Sequence, residues 1–206
     1  MKPSSRFYRC CYRIARPAIG IFYRLKIIGK ENIPEGAAMV CANHSGMVDP
    51  FLIAFAFGIK CQVHVVTKAE VYKIPIISQI MKKLGMIRVD RGTLDTSTIK
   101  NMLGYLKNNE KVVIFPEGTR MSQDDAASAK TGAVKVADHA GVPLLPLFLP
   151  RKKPLFRRIP VVIGEPYRIE KQSRKRSVDE YTQLSEELMS KIKQLNPDNH
   201  MHEVRK

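Results

Sequence analysis

The stretch Val112-Val113-Ile114-Phe115 carries an apolar side chain at every position, and Pro116-Glu117-Gly118 closes it. A strand with one face in water alternates apolar and polar residues. One that is apolar throughout is covered on both faces, as in the sheets of α/β proteins. Working outward, residues 25–28, 38–42, 63–67, 86–89, 143–149 and 160–163 read as further strands. Between them, residues 51–59, 75–84, 96–108, 129–140 and 178–195 read as helices. Alternation of this kind predicts one α/β domain over 25–195, with a mixed, mostly buried sheet flanked by helices. The polar residues 196–206 read as a frayed tail.

Residues 1–24 stand apart, with no acid before Glu31. At 100° per residue, Arg6, Arg9, Arg13 and Arg16 fall in one stripe, with Phe7, Tyr8, Cys11, Ile14 and Ala15 on the other side. That is the pattern of a basic amphipathic helix lying in a membrane interface. The competing reading is a helix packed on the domain with its arginines in water. Pro17 is expected to kink or end it. If the segment docks on lipid, its deletion weakens liposome binding more than folding.

The 206 residues are 44% hydrophobic, enough for a packed core, and carry a formal net charge of +16. Such a surplus points to a polyanionic partner, an anionic membrane surface or nucleic acid. The sequence has no zinc-finger spacing, helix-turn-helix signature or aromatic-basic RNA motif, so no nucleic-acid partner is expected. No run approaches the ~20 apolar residues that span a bilayer, so a membrane enzyme of this sequence would lie on the surface. Cys10, Cys11, Cys41 and Cys61 include no Cys-x-x-Cys pair and read as free thiols in a reducing compartment. Cys41 with His44 and Cys61 with His64 have a zinc-like spacing, but their apolar surroundings favour buried thiols and no metal.

Asn43-His44-Ser45-Gly46-Met47-Val48-Asp49-Pro50 follows an apolar strand. On a continuous helix His44 and Asp49 would point ~140° apart. A turn at Ser45-Gly46, with Asp49-Pro50 opening a helix, would let them meet. Asp49 would also be placed to cap that helix. A histidine held by a carboxylate is a general base. No Gly-x-Ser-x-Gly nucleophile is present, so direct attack by a substrate hydroxyl is favoured over an acyl-enzyme. A backbone N–H at the Ser45-Gly46 turn is a candidate donor to the oxyanion. Phe115-Pro116-Glu117-Gly118-Thr119-Arg120 places an arginine at a strand's carboxyl end, where bidentate phosphate binding is suited. Gly85-Met86-Ile87-Arg88-Val89-Asp90-Arg91 does the same. The basic clusters at 151–158 and 171–176 are solvated faces, a rim to the site, or lipid contacts.

These segments, with Val142-Pro143-Leu144-Leu145-Pro146 after them, resemble the four signature blocks of the glycerolipid acyltransferase family, over about residues 29–164. Within it, the 1-acylglycerol-3-phosphate (lysophosphatidate) acyltransferases are the nearest in pattern. The resemblance implies transfer of an acyl chain from a thioester to the free hydroxyl of lysophosphatidate, forming phosphatidate in phospholipid biosynthesis. The donor would be acyl-CoA or acyl carrier protein, with no cofactor. His44 would be the base and Asp49 its orienter. Arg91 and Arg120 would bind the acceptor phosphate, with Glu117, Gly118 and Thr119 shaping the pocket and Pro143 helping to form the acyl surface. Arg88 stands where the family has an apolar residue, so Arg88 and Arg91 compete for the phosphate role. Lys130, before a helix, is a further headgroup contact. Glycerol 3-phosphate or another lysophospholipid is the alternative acceptor. The expected location is peripheral, on the cytoplasmic side of the cell membrane.

Overall fold

The computed structural model describes residues 4–89, 95–116 and 123–199, the side chains of 123–130 excepted. Residue by residue, β2 (Ala38–Ala42) explains the architecture. All five of its residues are buried. Val40 and Ala42 enter one apolar cluster with Leu52, Ile53 and Phe57; Met39 and Cys41 enter a second with Met102, Leu106, Ala133 and Leu188. The period-2 alternation of a strand sends successive side chains to opposite faces, so both faces of the sheet are covered.

Seven strands form one sheet among the described residues: β1 (Arg24–Ile28), β2, β3 (Val63–Lys68), β4 (Ile87–Val89), β5 (Lys111–Ile114), β6 (Leu144–Phe148) and β7 (Arg158–Ile163). Their order is β1-β7-β6-β2-β5-β3-β4. β6, β2, β5, β3 and β4 run parallel. β7 is antiparallel to β6, and β1 runs parallel to β7. The helices are α1 (Arg6–Phe22), α2 (Asp49–Phe57), α3 (Pro75–Lys83), α4 (Thr96–Lys107), α5 (Gln123–Ala140) and α6 (Val178–Gln194). α2 buries Leu52, Ile53 and Phe57 on one face of the sheet; α4, α5 and α6 cover the other. The chain is thus a single α/β domain with a mixed sheet flanked by helices, as its sequence predicts.

The topology has one consequence for the site. The carboxyl ends of β2, β5 and β6 share an edge of the sheet. β7 and β1 run the other way and begin at that same edge. Residues 43–49, 149–157 and the end of α1 are therefore gathered there.

Two local expectations are revised. Pro17 does not end α1, which continues to Phe22. The apolar side of α1 is also divided. Tyr8 is 4% exposed and donates its hydroxyl to the Cys61 carbonyl, and Tyr12 packs edge-on to Phe55 of α2. Arg16 lies over the Phe55 ring, 5.3 Å from its centroid. Ile14 and Ile21 remain 68% and 63% exposed. The helix is therefore packed on the domain and still turns an apolar strip, beside Arg6 and Arg13, to the outside. Of the tail, residues 200–206 lie outside the described ones.

Candidate active site

β2 ends at Ala42, and the chain turns through 43–48 into α2. The turn does what a continuous helix could not: His44 Nδ1 lies 3.0 Å from Asp49 Oδ2. The same oxygen accepts the backbone N–H groups of Ser45, at 2.8 Å, and Gly46, at 2.9 Å. The His44 ring packs on Phe115, just past β5, with centroids 4.3 Å apart. The end of β5 thereby braces the base delivered by β2.

Asp49 is fully buried and sits inside the first turn of α2, not at its cap. The expected capping bond is not made, because Oδ2 faces the His44 turn and Oδ1 faces Lys153. Burial alone would raise its pKa. The bonds from His44, Lys153 and the Ser45 and Gly46 amides outweigh it and hold the group at about 2. Asp49 is therefore a carboxylate at any working pH. Accepting from Nδ1–H, it sets the imidazole tautomer with its lone pair on Nε2. The His44 side chain is 30% exposed, so a substrate can reach it.

The Ser45 and Gly46 amides were candidate oxyanion donors, and the geometry corrects this. Both point into Asp49 and hold the dyad rigid instead. An amide engaged by a buried carboxylate is not available to a transient oxyanion without leaving that carboxylate under-bonded.

Lys153 supplies the other half of the Asp49 environment. Its ammonium lies 2.7 Å from Asp49 Oδ1 and also donates to Ser45 Oγ, and its side chain is only 6% exposed. In sequence it is one of five basic residues between 151 and 158, and nothing marks it from its neighbours. Asn43 is the other residue whose part was not foreseen. Its side-chain amide donates to the Leu149 carbonyl at 2.6 Å and accepts the Leu149 N–H at 2.8 Å. Leu149 lies just past the end of β6, where no strand among the described residues pairs it. This clamp fixes the loop that carries Lys153 against the loop that carries His44.

Arg91, Glu117, Gly118, Thr119 and Arg120 lie outside the described residues, and so does the side chain of Lys130 in α5. In the chain, Arg91 follows β4 and Glu117 follows β5, two strands parallel to β2. Arg88 is exposed on the edge strand β4 while Ile87 is buried, which explains how a charged residue is tolerated in this block. Pro143 precedes β6 at the opposite edge of the sheet from His44, its carbonyl accepting from Met39 N–H, and belongs to the core there. The zinc-like pairs have other partners: Cys41 is buried in the core, where burial pushes its thiol up, and His64 bonds the Gly85 carbonyl and Glu110.

A family model described as Acyltransferase matches residues 24–150, more than half of the chain. The chain belongs to the acyltransferase family. It is 32% identical, over 195 residues, to the 1-acyl-sn-glycerol-3-phosphate acyltransferase of Bacillus subtilis (strain 168), covering 91% of this chain and 96% of that protein. It is 27% identical to the enzyme of the same name from Borreliella burgdorferi, over 68% of this chain and 56% of that one. In three dimensions this acyltransferase shares the fold of the 1-acyl-sn-glycerophosphate (LPA) acyltransferase PlsC from Thermotoga maritima. The TM-score is 0.64 at 23% identity, covering 91% of this chain and 78% of that one.

Proposed function

We propose that this acyltransferase transfers a fatty acyl chain from an acyl thioester, on coenzyme A or acyl carrier protein, to the free hydroxyl of 1-acylglycerol 3-phosphate. The observation that carries the reading is the His44–Asp49 pair, 3.0 Å apart, with Asp49 buried and His44 within reach of solvent. The names of the relatives supply the acceptor.

In this mechanism Nε2 of His44 takes the hydroxyl proton as the alcohol oxygen attacks the thioester carbon. Asp49 stabilises the imidazolium that forms. Collapse of the tetrahedral intermediate breaks the C–S bond, and the imidazolium returns its proton to the departing thiolate. A thioester is already activated, so the reaction calls on neither metal nor nucleotide hydrolysis. Arg91 and Arg120, with Glu117, Gly118, Thr119 and Lys130, are the proposed phosphate-binding set, and two arginines on one phosphate would orient the hydroxyl toward His44.

Because both tails are apolar, we place the reaction at an anionic membrane surface, with the protein peripheral on the cytoplasmic side. The charge of +16 and the exposed Ile14 and Ile21 of α1 support this. No helix among the described residues is long and apolar enough to cross a membrane.

The test is thiol release from an acyl thioester by purified protein with liposomes present. Lysophosphatidate and glycerol 3-phosphate are supplied in parallel, and His44→Ala is the control. Release that needs lysophosphatidate and falls by about 10²- to 10⁴-fold in the variant supports the reading. Release with glycerol 3-phosphate alone keeps the mechanism and changes the acceptor. An active His44→Ala protein removes His44 as the base.

A further inference from the structure

The connection between β6 and β7 carries an arrangement the chemistry above does not use. Leu155 and Phe156 stand 52% and 59% exposed at its tip. Phe156 also holds a left-handed backbone, φ 62°. A bulky residue in that region carries a conformational cost, which neither burial nor a turn glycine relieves here. The conformation is held from one side: the Phe156 N–H donates to the Phe22 carbonyl at 2.6 Å, and the two rings lie 5.7 Å apart. Phe22, 44% exposed, is the last residue of α1 and directly follows Ile21 of the outward strip. The tip and the outer strip of α1 thus meet in one apolar ridge.

The charge around the ridge has one sign. No acidic residue occurs between Phe148 and Glu165. Arg151, Lys152 and Arg157 are all exposed. Apolar tips rimmed by arginine and lysine fit a bilayer with anionic headgroups: the rings enter the acyl boundary, and the cations meet phosphate. The loop also touches the catalytic turn, through Lys153 on Asp49 and the Asn43 clamp on Leu149.

We propose that the β6–β7 connection is a membrane-inserting element, in which Leu155 and Phe156 enter an anionic lipid bilayer beside Phe22 and set the His44 edge of the sheet against the lipid surface. The proposal rests on the membrane reading above and goes further by naming a second contact, next to the site and distant in sequence from α1. A lipid acceptor would then reach His44 from the bilayer without its tail crossing water.

The chain contains no tryptophan, so a single substitution gives a local reporter. Phe156→Trp and, separately, Leu155→Trp are mixed with vesicles of phosphatidylcholine and phosphatidylglycerol in equal parts, after a thermal melt confirms folding. The expected result is a blue-shifted emission on vesicle binding, quenched by lipids brominated on their acyl chains. Leu155→Ser/Phe156→Ser should weaken partitioning to these vesicles by about 10- to 100-fold. Co-sedimentation of the reporters with vesicles while their emission stays that of a water-exposed indole would overturn the insertion and leave the membrane reading standing. No co-sedimentation of the wild-type protein would overturn both.

Discussion

The ammonium of Lys153 lies 2.7 Å from Asp49 Oδ1, while His44 Nδ1 lies 3.0 Å from Asp49 Oδ2. One buried carboxylate therefore joins a lysine from the β6–β7 connection to the histidine from the end of β2. Its second oxygen is ion-paired with that lysine, which leaves the carboxylate little freedom to rotate away from the imidazole.

Lys153→Met should accordingly lower kcat by about 10- to 100-fold, with a smaller change in KM, because the dyad loses its orientation and not its substrate contacts. Lys153→Arg should recover part of the loss, and in an Asp49→Asn background Lys153→Met should cost little more. Steady-state kinetics on the four proteins decide it. A variant that raises KM for the acceptor and spares kcat would make Lys153 a binding residue. Melts should also show Lys153→Met destabilised by about 3 kcal/mol or more, since a buried carboxylate loses its counter-charge.

Asp49 also ties stability to pH. Its folded value of about 2 lies below its ordinary 3.8. The stabilisation is thus fully present above about pH 4 and is lost as pH falls toward about 2, since the unfolded chain takes up the proton first. With the side chain excluded from water, it amounts to at most about 2 kcal/mol. Urea unfolding of wild type and Asp49→Asn, at pH 6 and pH 2.5, should show the gap between them shrinking at the lower pH. A constant gap would remove the carboxylate's part in it.

Asn43→Ala should leave the Leu149 N–H and carbonyl buried without partners. The expected cost is about 2–4 kcal/mol in denaturant unfolding, with a drop in kcat as the Lys153 loop loosens. Wild-type stability in this variant would show that the clamp is replaced by other contacts.

Ile14→Ser/Ile21→Ser should weaken co-sedimentation with anionic vesicles by tenfold or more while leaving the melting temperature within a few degrees, because both side chains already face solvent. Deleting residues 1–24 is the blunter test. It also removes Tyr8 and Tyr12 from Cys61 and Phe55, so lost folding and lost binding would arrive together.

The strands were legible in the sequence, the central β2 and β5 most plainly because they are buried on both faces, while the helix read at 129–140 begins earlier, at Gln123. Burial forces runs such as Val112-Val113-Ile114 to be apolar at every position, and local punctuation by Gly and Pro marks their ends. His44 and Asp49 were legible for a related reason. They are five residues apart, and only a turn before Pro50 lets them meet. What local pattern could not decide was contact between distant segments. Asn43 and Leu149 are 106 residues apart, and Lys153 looks like any lysine in a basic run until β6 is laid beside β2. The same holds for the Ser45 and Gly46 amides: a turn shows that donors are present, and only the position of Asp49 shows where they point. Sequence determines which segments are covered and where they turn, because burial and backbone preference act locally. The pairing of strands decides which loops share an edge, and with it which charge faces Asp49.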